Sequence, residues 1–322
     1  MSGSTTSSAL EQNLTFSGSV SAYALRTRAI YAVCVAILAL LVAGFWNPRL
    51  VDGFGRNVVA ARTIGDPDAL GGTFGQNGFG FGFLFAAIAG LAATFTACNC
   101  VVFAMLPGLA AGGQASSRRS ALTALGVFAT GVVLVGAAYG MFIGWLGPAG
   151  IEAFNSPGVR RAQAMTVFTV LGTLMLAWGL VELGFLERLT GRASPTTRAF
   201  FAQPTAKAGM LGFMVGMFMI GRPFPVMRDF LIYAASANNP LYGAGVMAVQ
   251  GLGQITVMVL VFLALAYGTG RRLPAWIARA PERASLLTGL SLIAGGTFFV
   301  FYWGLAFAYG VGRWGFRLGW YS

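Results

Sequence analysis

Three cysteines, one arginine in an unexpected setting and the complete absence of histidine limit the chemistry open to this chain. Cys98 and Cys100 lie in the run Thr94-Phe95-Thr96-Ala97-Cys98-Asn99-Cys100. Two thiols this close can form a Cys-x-Cys disulfide, exchange with a partner's disulfide, or bind a soft metal ion. On a regular helix the spacing sets them about 200° apart, so only locally unwound backbone brings both to one place. The other reading is that they are small side chains in helix packing, a role free cysteine fills well. Cys34 sits alone in a plain apolar run and reads as packing. Without histidine there is no Ser-His-Asp triad and no His-ligated zinc, copper or haem. No acid–base pair, cofactor motif or metal-ligand cluster stands out, so neither a cofactor nor a metal is expected and an ordinary enzyme is disfavoured.

Arg222 lies inside an apolar stretch, Ile220-Gly221-Arg222-Pro223-Phe224-Pro225. A guanidinium deep in a bilayer costs several kcal/mol unless it meets water, a carboxylate or backbone carbonyls. Glu182 and Asp229 are its candidate charge partners, and the prolines free carbonyls that can also accept its protons. It serves as a clamp between helices or as a substrate contact. Arg228 and Asp229 also read as a solvated pair at the membrane surface. Met210, Met214 and Met217 share a helix face and Met219 lies off it, a pattern that suits packing and, with the thiols, soft-metal transport. Gln250 and Gln254 form an i, i+4 pair inside an apolar run, suited to bonding between helices.

The elements that position these residues must be membrane helices. Of 322 residues 57% are hydrophobic and 9% charged, and mean hydropathy is +0.73. One core cannot absorb so much apolar surface, so the rest must face lipid. The apolar runs are Ala29–Trp46, Phe79–Ala111, Leu122–Leu146, Thr166–Leu186, Ala208–Ala237, Leu241–Tyr267 and Leu286–Tyr309, giving an all-α integral membrane protein of about seven transmembrane helices. Gly147-Pro148, Asn155-Ser156-Pro157-Gly158 and Asn238-Asn239-Pro240 read as loops between them. The net charge of +12 belongs to arginines at the ends of apolar runs, so membrane lipid and not nucleic acid is the expected partner. With the N-terminus inside, twelve Lys/Arg fall on the cytoplasmic side and seven outside. That excess favours N-inside and C-outside, and the chain is expected in a bacterial cytoplasmic (inner) membrane.

Two apolar stretches are too long and too interrupted for ideal helices. The first carries the cysteines and then Pro107-Gly108; the second carries Gly221, Arg222, Pro223 and Pro225. Each is followed by two further spans at similar intervals, so the chain divides into two three-helix units of opposite orientation. Paired broken segments in corresponding halves point to a midplane functional site, although prolines that merely kink packed helices leave the same trace. The expected division is a disordered cytoplasmic tail (1–25), an N-terminal span with an outer loop (26–77), a first repeat (78–187), a basic cytoplasmic loop (188–207), a second repeat (208–310) and an outer tail (311–322).

The segments from Phe79 through Gly108 and from Met210 through Gly253 resemble the CcdA/DsbD-like transmembrane (cytochrome c biogenesis) superfamily of electron carriers. The second unit keeps Gly221, Pro225 and Val226, then Asn239-Pro240-Leu241 and Gly251-Leu252-Gly253. The resemblance covers roughly 78–310 and implies two inverted three-helix repeats that pass dithiol reducing equivalents across the membrane. The cysteines are degenerate, because no thiol lies near Gly221-Arg222-Pro223, where the superfamily places its second one. A relay within this chain alone therefore lacks its second sulfur.

Within that superfamily the Thr96-Ala97-Cys98-Asn99-Cys100 and Gly221-Arg222-Pro223-Phe224-Pro225 segments are most similar to the MauF family of methylamine-utilisation membrane proteins. That likeness implies an accessory factor in amine metabolism that supports maturation of a periplasmic redox enzyme, methylamine dehydrogenase, whose small subunit needs many disulfides. It also implies thiol–disulfide or reductant transfer through Cys98 and Cys100, with a periplasmic thioredoxin-like protein as partner. The alternatives are a transporter for a soft metal ion or small sulfur compound, and a structural subunit without turnover.

Overall fold

The computed structural model describes residues 22–96, 99, 118–186, 194, 196, 203–221, 224–268 and 282–320, and every described element is helical. The elements are α1 (Ala22–Gly44), α2 (Pro48–Gly53), a π-helical turn π1 (Phe54–Ala60), α3 (Ala61–Ile64), α4 (Pro67–Leu70), α5 (Phe74–Thr94), α6 (Arg118–Phe154), α7 (Pro157–Glu182), α8 (Pro204–Gly221), α9 (Pro225–Ser236), α10 (Pro240–Gly268) and α11 (Glu282–Phe299). The last runs on through a π-helical turn π2 (Val300–Ala306) into α12 (Phe307–Tyr309), and α13 (Trp314–Arg317) follows. Among the described residues six helices are long and apolar enough to cross a membrane, or up to seven if α8 and α9, bent by 85°, are counted as one span.

Lipid is as apolar as leucine, so membrane helices associate through close packing and not through expulsion of water. The heaviest packing is α6 against α10, where a Cβ on Gly140 or on Gly243 would run into the other residue's carbonyl oxygen. The pairs Gly144–Asn239, Gly140–Gly243, Gly136–Met247 and Val132–Gly251 make these two helices antiparallel. Alpha-helix α7 lies antiparallel on α11 through Gly172–Gly296 and Gly179–Gly289. By contrast α5 runs parallel to α10, Gly82 meeting Tyr242 and Gly90 meeting Gln250 and Gly253. Likewise α8 runs parallel to α6, with Gly212 on Phe128 and Gly216 on Val135. The first helix of each half therefore packs on the second helix of the other. Helix α1 rests on α11 and otherwise shows exposed Ile30, Val33, Ile37, Leu38 and Leu41.

Several boundaries differ from the sequence reading. The helix begins at Ala22, inside the segment assigned to a disordered tail, while residues 1–21 lie outside the described part. Gly147-Pro148 is no loop but a kink within α6, made possible by Gly147 at φ 66°. The segment assigned to an outer loop folds into α2, π1, α3 and α4, and Gly55 of π1 sits directly on the Ala92 carbonyl of α5. Asn155-Ser156-Pro157 and Asn238-Asn239-Pro240 are turns as expected. In the second, Asn238 is left-handed (φ 46°) and Asn239 Oδ1 accepts from the N–H groups of Leu241 and Tyr242 at 2.9 and 3.1 Å, capping α10.

Candidate functional site

Helix α5 ends at Thr94, in the middle of the bundle. At that end polar side chains satisfy backbone carbonyls. The Thr94 hydroxyl donates to the Gln254 carbonyl of α10 at 2.9 Å. Thr96 Oγ1 and Asn99 Nδ2 both donate to the Ala93 carbonyl, at 2.8 and 2.9 Å, so one orphan carbonyl at the helix end is satisfied twice. Gln254 Nε2 in turn donates to Asn99 Oδ1 at 3.3 Å and reaches the Val215 carbonyl of α8 at 3.5 Å. Thr94, Thr96, Asn99 and Gln254 are all buried. The end of α5 and faces of α8 and α10 thus meet in one amide-and-hydroxyl node.

Gln250 lies one turn before Gln254 and is fully buried, yet neither its Oε1 nor its Nε2 has a hydrogen-bond partner. The close approach of Gly90 to the backbone of Gln250 and Gly253 brings α5 and α10 together at this level. A buried amide left without partners costs about 1–3 kcal/mol, so this position stands out chemically. Of the expected i, i+4 amide pair, Gln254 bonds across to neighbouring helices and Gln250 does not.

The other sequence-derived residues divide cleanly. Cys98, Cys100, Pro107, Gly108, Arg222 and Pro223 lie outside the described residues. Gly221 ends α8, buried against Val167 and Phe168 of α7. Pro225 opens α9 in the first turn, where its missing N–H costs nothing. Glu182, at the far end of α7, accepts from Trp178 Nε1 at 3.1 Å, from Lys207 Nζ and from Ser285 Oγ. It joins the starts of α8 and α11 to the end of α7. Fourteen residues of helix, about 21 Å, separate it from the level of Phe168 and Gly221.

Asp229 is not a solvated carboxylate, since it is 2% exposed. Burial of its helix face against α4 and α6 takes the carboxyl out of water, while the Arg228 side chain paired with it stays half exposed. Asp229 and Glu182 sit at opposite ends of the bundle, because Asn155, just before α7, donates to the Arg228 carbonyl at 3.2 Å whereas Glu182 closes α7.

Met214 and Met219 are buried, and the Met219 methyl lies near Gly136 of α6 and Gly251 of α10, as packing requires. Among the described residues no group of three or more His, Cys, Asp or Glu is placed to hold a metal ion. Sequence reasoning passed over Thr94, whose hydroxyl reaches α10. Asn99 was visible as a polar residue between two cysteines in an apolar run, which is signal enough to have marked it.

Long apolar helices, glycine-mediated crossings and an interior polar node define a multi-pass α-helical membrane protein. No family model matches the chain, and no curated protein or solved structure matches it either.

Proposed function

We propose that this chain is a membrane accessory factor for maturation of a periplasmic redox enzyme, with methylamine dehydrogenase as client, acting through thiol–disulfide transfer at Cys98 and Cys100. The observation that carries the reading is the reciprocal exchange of partners between the two halves: α5 lies parallel on α10, and α8 lies parallel on α6. Two oppositely oriented three-helix repeats are consistent with such pairing, and it supports the carrier-like architecture that the sequence resembles. In this reading the N-terminus is inside, the Glu182 end is cytoplasmic and the Asp229 end faces the periplasm of a bacterial inner membrane.

The node adds chemical support. Asn99 stands between the two cysteines in sequence, and its buried amide bonds back to the Ala93 carbonyl at the end of α5 and across to Gln254 of α10. A thiolate of the pair attacks a disulfide of a thioredoxin-like partner, forming a mixed disulfide and releasing one partner thiolate. The second cysteine then displaces the other partner sulfur, leaving a Cys98–Cys100 disulfide and a partner dithiol, with two electrons passed to the partner. The partner's disulfide stands in for the second sulfur site that the other half of the chain lacks.

The test is to change Cys98 and Cys100 to Ser singly and together, and to follow the rearrangement of mispaired disulfides in the client's small subunit, which needs the reduced partner. Each single variant is expected to trap a mixed disulfide with the thioredoxin-like protein, and the double variant to leave the client immature. Normal client maturation in the double variant ends the redox reading. Soft-metal uptake that depends on Met214 and Cys100 replaces it with transport.

A further inference from the structure

The buried node around Gln254 holds one group that neither the helix packing nor the thiol reading uses. Gln250 is 0% exposed, and both ends of its amide lack a hydrogen-bond partner. It lies four residues before Gln254, so the two side chains leave one face of α10 with their Cβ atoms about 5–6 Å apart. Through Gln254 that face meets Asn99, beyond α5, and the Val215 carbonyl of α8. At the level of Gln250 itself, Gly90 of α5 touches its backbone, and Met219 of α8 is buried against Gly251. An amide at such a junction lowers stability unless something supplies its missing bonds. Functional sites are where a fold keeps a residue against local rules of this kind.

The groups around it present oxygen. Thr94 and Thr96 give their hydroxyl protons to the Gln254 and Ala93 carbonyls, which leaves each hydroxyl oxygen able to accept. Asn99 Oδ1 and Gln250 Oε1 are two further neutral oxygens. The C-terminal end of α5, where Ala93 and Thr94 lie, carries about half a negative charge from its aligned peptides. Helices α5 and α10 carry no ionised side chain. The charged residue of α8 is Lys207, near its start and paired with Glu182. Arg56 of π1, the segment that packs on Ala92 through Gly55, is paired with Asp68.

Neutral oxygens around a helix C-terminus suit a singly charged cation. Divalent ions take carboxylates and soft ions take sulfur or imidazole. Sodium and potassium ions are held in membranes by carbonyl oxygens and by the C-terminal ends of broken helices. An anion would face the wrong end of the dipole. We propose that Gln250, Asn99 and Thr94 form a binding site for an alkali-metal cation beside the end of α5, with Gln254 positioning Asn99. Gln250 Oε1 is the ligand that serves nothing else, and its Nε2 donates to a water carried in with the ion. The site stands apart from the thiol reading, since a cation there steadies the end of α5 whether or not Cys98 and Cys100 exchange electrons.

Melting of the purified full-length protein in detergent tests this, with choline chloride replaced by sodium or potassium chloride at constant ionic strength. The expected result is a saturable rise in the midpoint with one or both alkali ions and none with choline. In Gln250→Leu the half-saturating concentration should rise about tenfold or more, for the loss of one ligand. Gly126→Ala, where the Cβ position has open space, should keep the wild-type response. In choline chloride Gln250→Leu should melt no lower than the wild type, because there it loses no bond. Binding of radioactive sodium, and of radioactive rubidium in place of potassium, to the wild type tests the site without any variant. A midpoint that rises as much in choline chloride, or an undiminished response in Gln250→Leu, overturns the proposal. No rise with either ion and no bound label overturn it in favour of a water molecule alone on the Gln250 amide.

Discussion

Gln254 Nε2 donates to Asn99 Oδ1 at 3.3 Å, joining two residues 155 positions apart in the chain and tying the end of α5 to the middle of α10. This bond gives the short segment after α5 its one side-chain link to the second half among the described residues. Replacing Gln254 by Leu leaves the Asn99 oxygen buried without a donor. That should destabilise the protein by about 1–2 kcal/mol, the range for interhelical polar contacts in membranes and for orphaned buried groups. Thermal denaturation in detergent measures it. Alkylation of Cys98 and Cys100 should quicken in the same variant, since the segment that carries them loses its tether, and an unchanged rate would sever the link between node and thiols.

Gln250 predicts the opposite sign one turn away. Its amide is fully buried with neither atom bonded, so Gln250→Leu removes a penalty and no bond. Stability should stay level or rise by about 1 kcal/mol. A clear fall in the melting temperature would mean that the amide is satisfied by bound water or a ligand, and would make Gln250 a contact residue of the node.

The sequence located the long helices well because lipid thickness fixes their length and hydropathy alone reveals them. It misplaced their ends wherever polarity and helicity part company. Helix α7 starts at Pro157 and not near Thr166, since Arg160, Arg161 and Gln163 break the apolar run without breaking the helix. Buried Arg160 shows why, for its guanidinium is partnered by Tyr139 at 3.4 Å and Gln163 at 3.3 Å. The kink at Gly147 read as a loop because Gly-Pro usually ends a helix. The site was legible in part. A polar residue in an apolar run is visible one at a time, so Gln250, Gln254 and Asp229 were all noticed. What each would meet was not, because Asn99 comes to Gln254, and α4 to α9, through helix crossings that leave no periodic trace. The solvated reading of Asp229 failed for the same reason, as nothing local announces that α4 covers it.

The glycine crossings give the last prediction. At Gly243 a Cβ would run into the carbonyl of Gly140, and each backbone is held by its own helix, so neither can yield without parting α6 from α10. Gly243→Val should therefore cost about 1–3 kcal/mol or more, as overpacking does in tightly packed interiors. Gly126 lies on the same helix α6 with nothing within 4 Å of the Cβ position. Gly126→Ala should be neutral or stabilising by up to about 1 kcal/mol through helix propensity alone. Measured side by side by thermal denaturation, the two variants separate close approach from glycine content. Equal effects would show that α6 and α10 do not cross at Gly140 and Gly243.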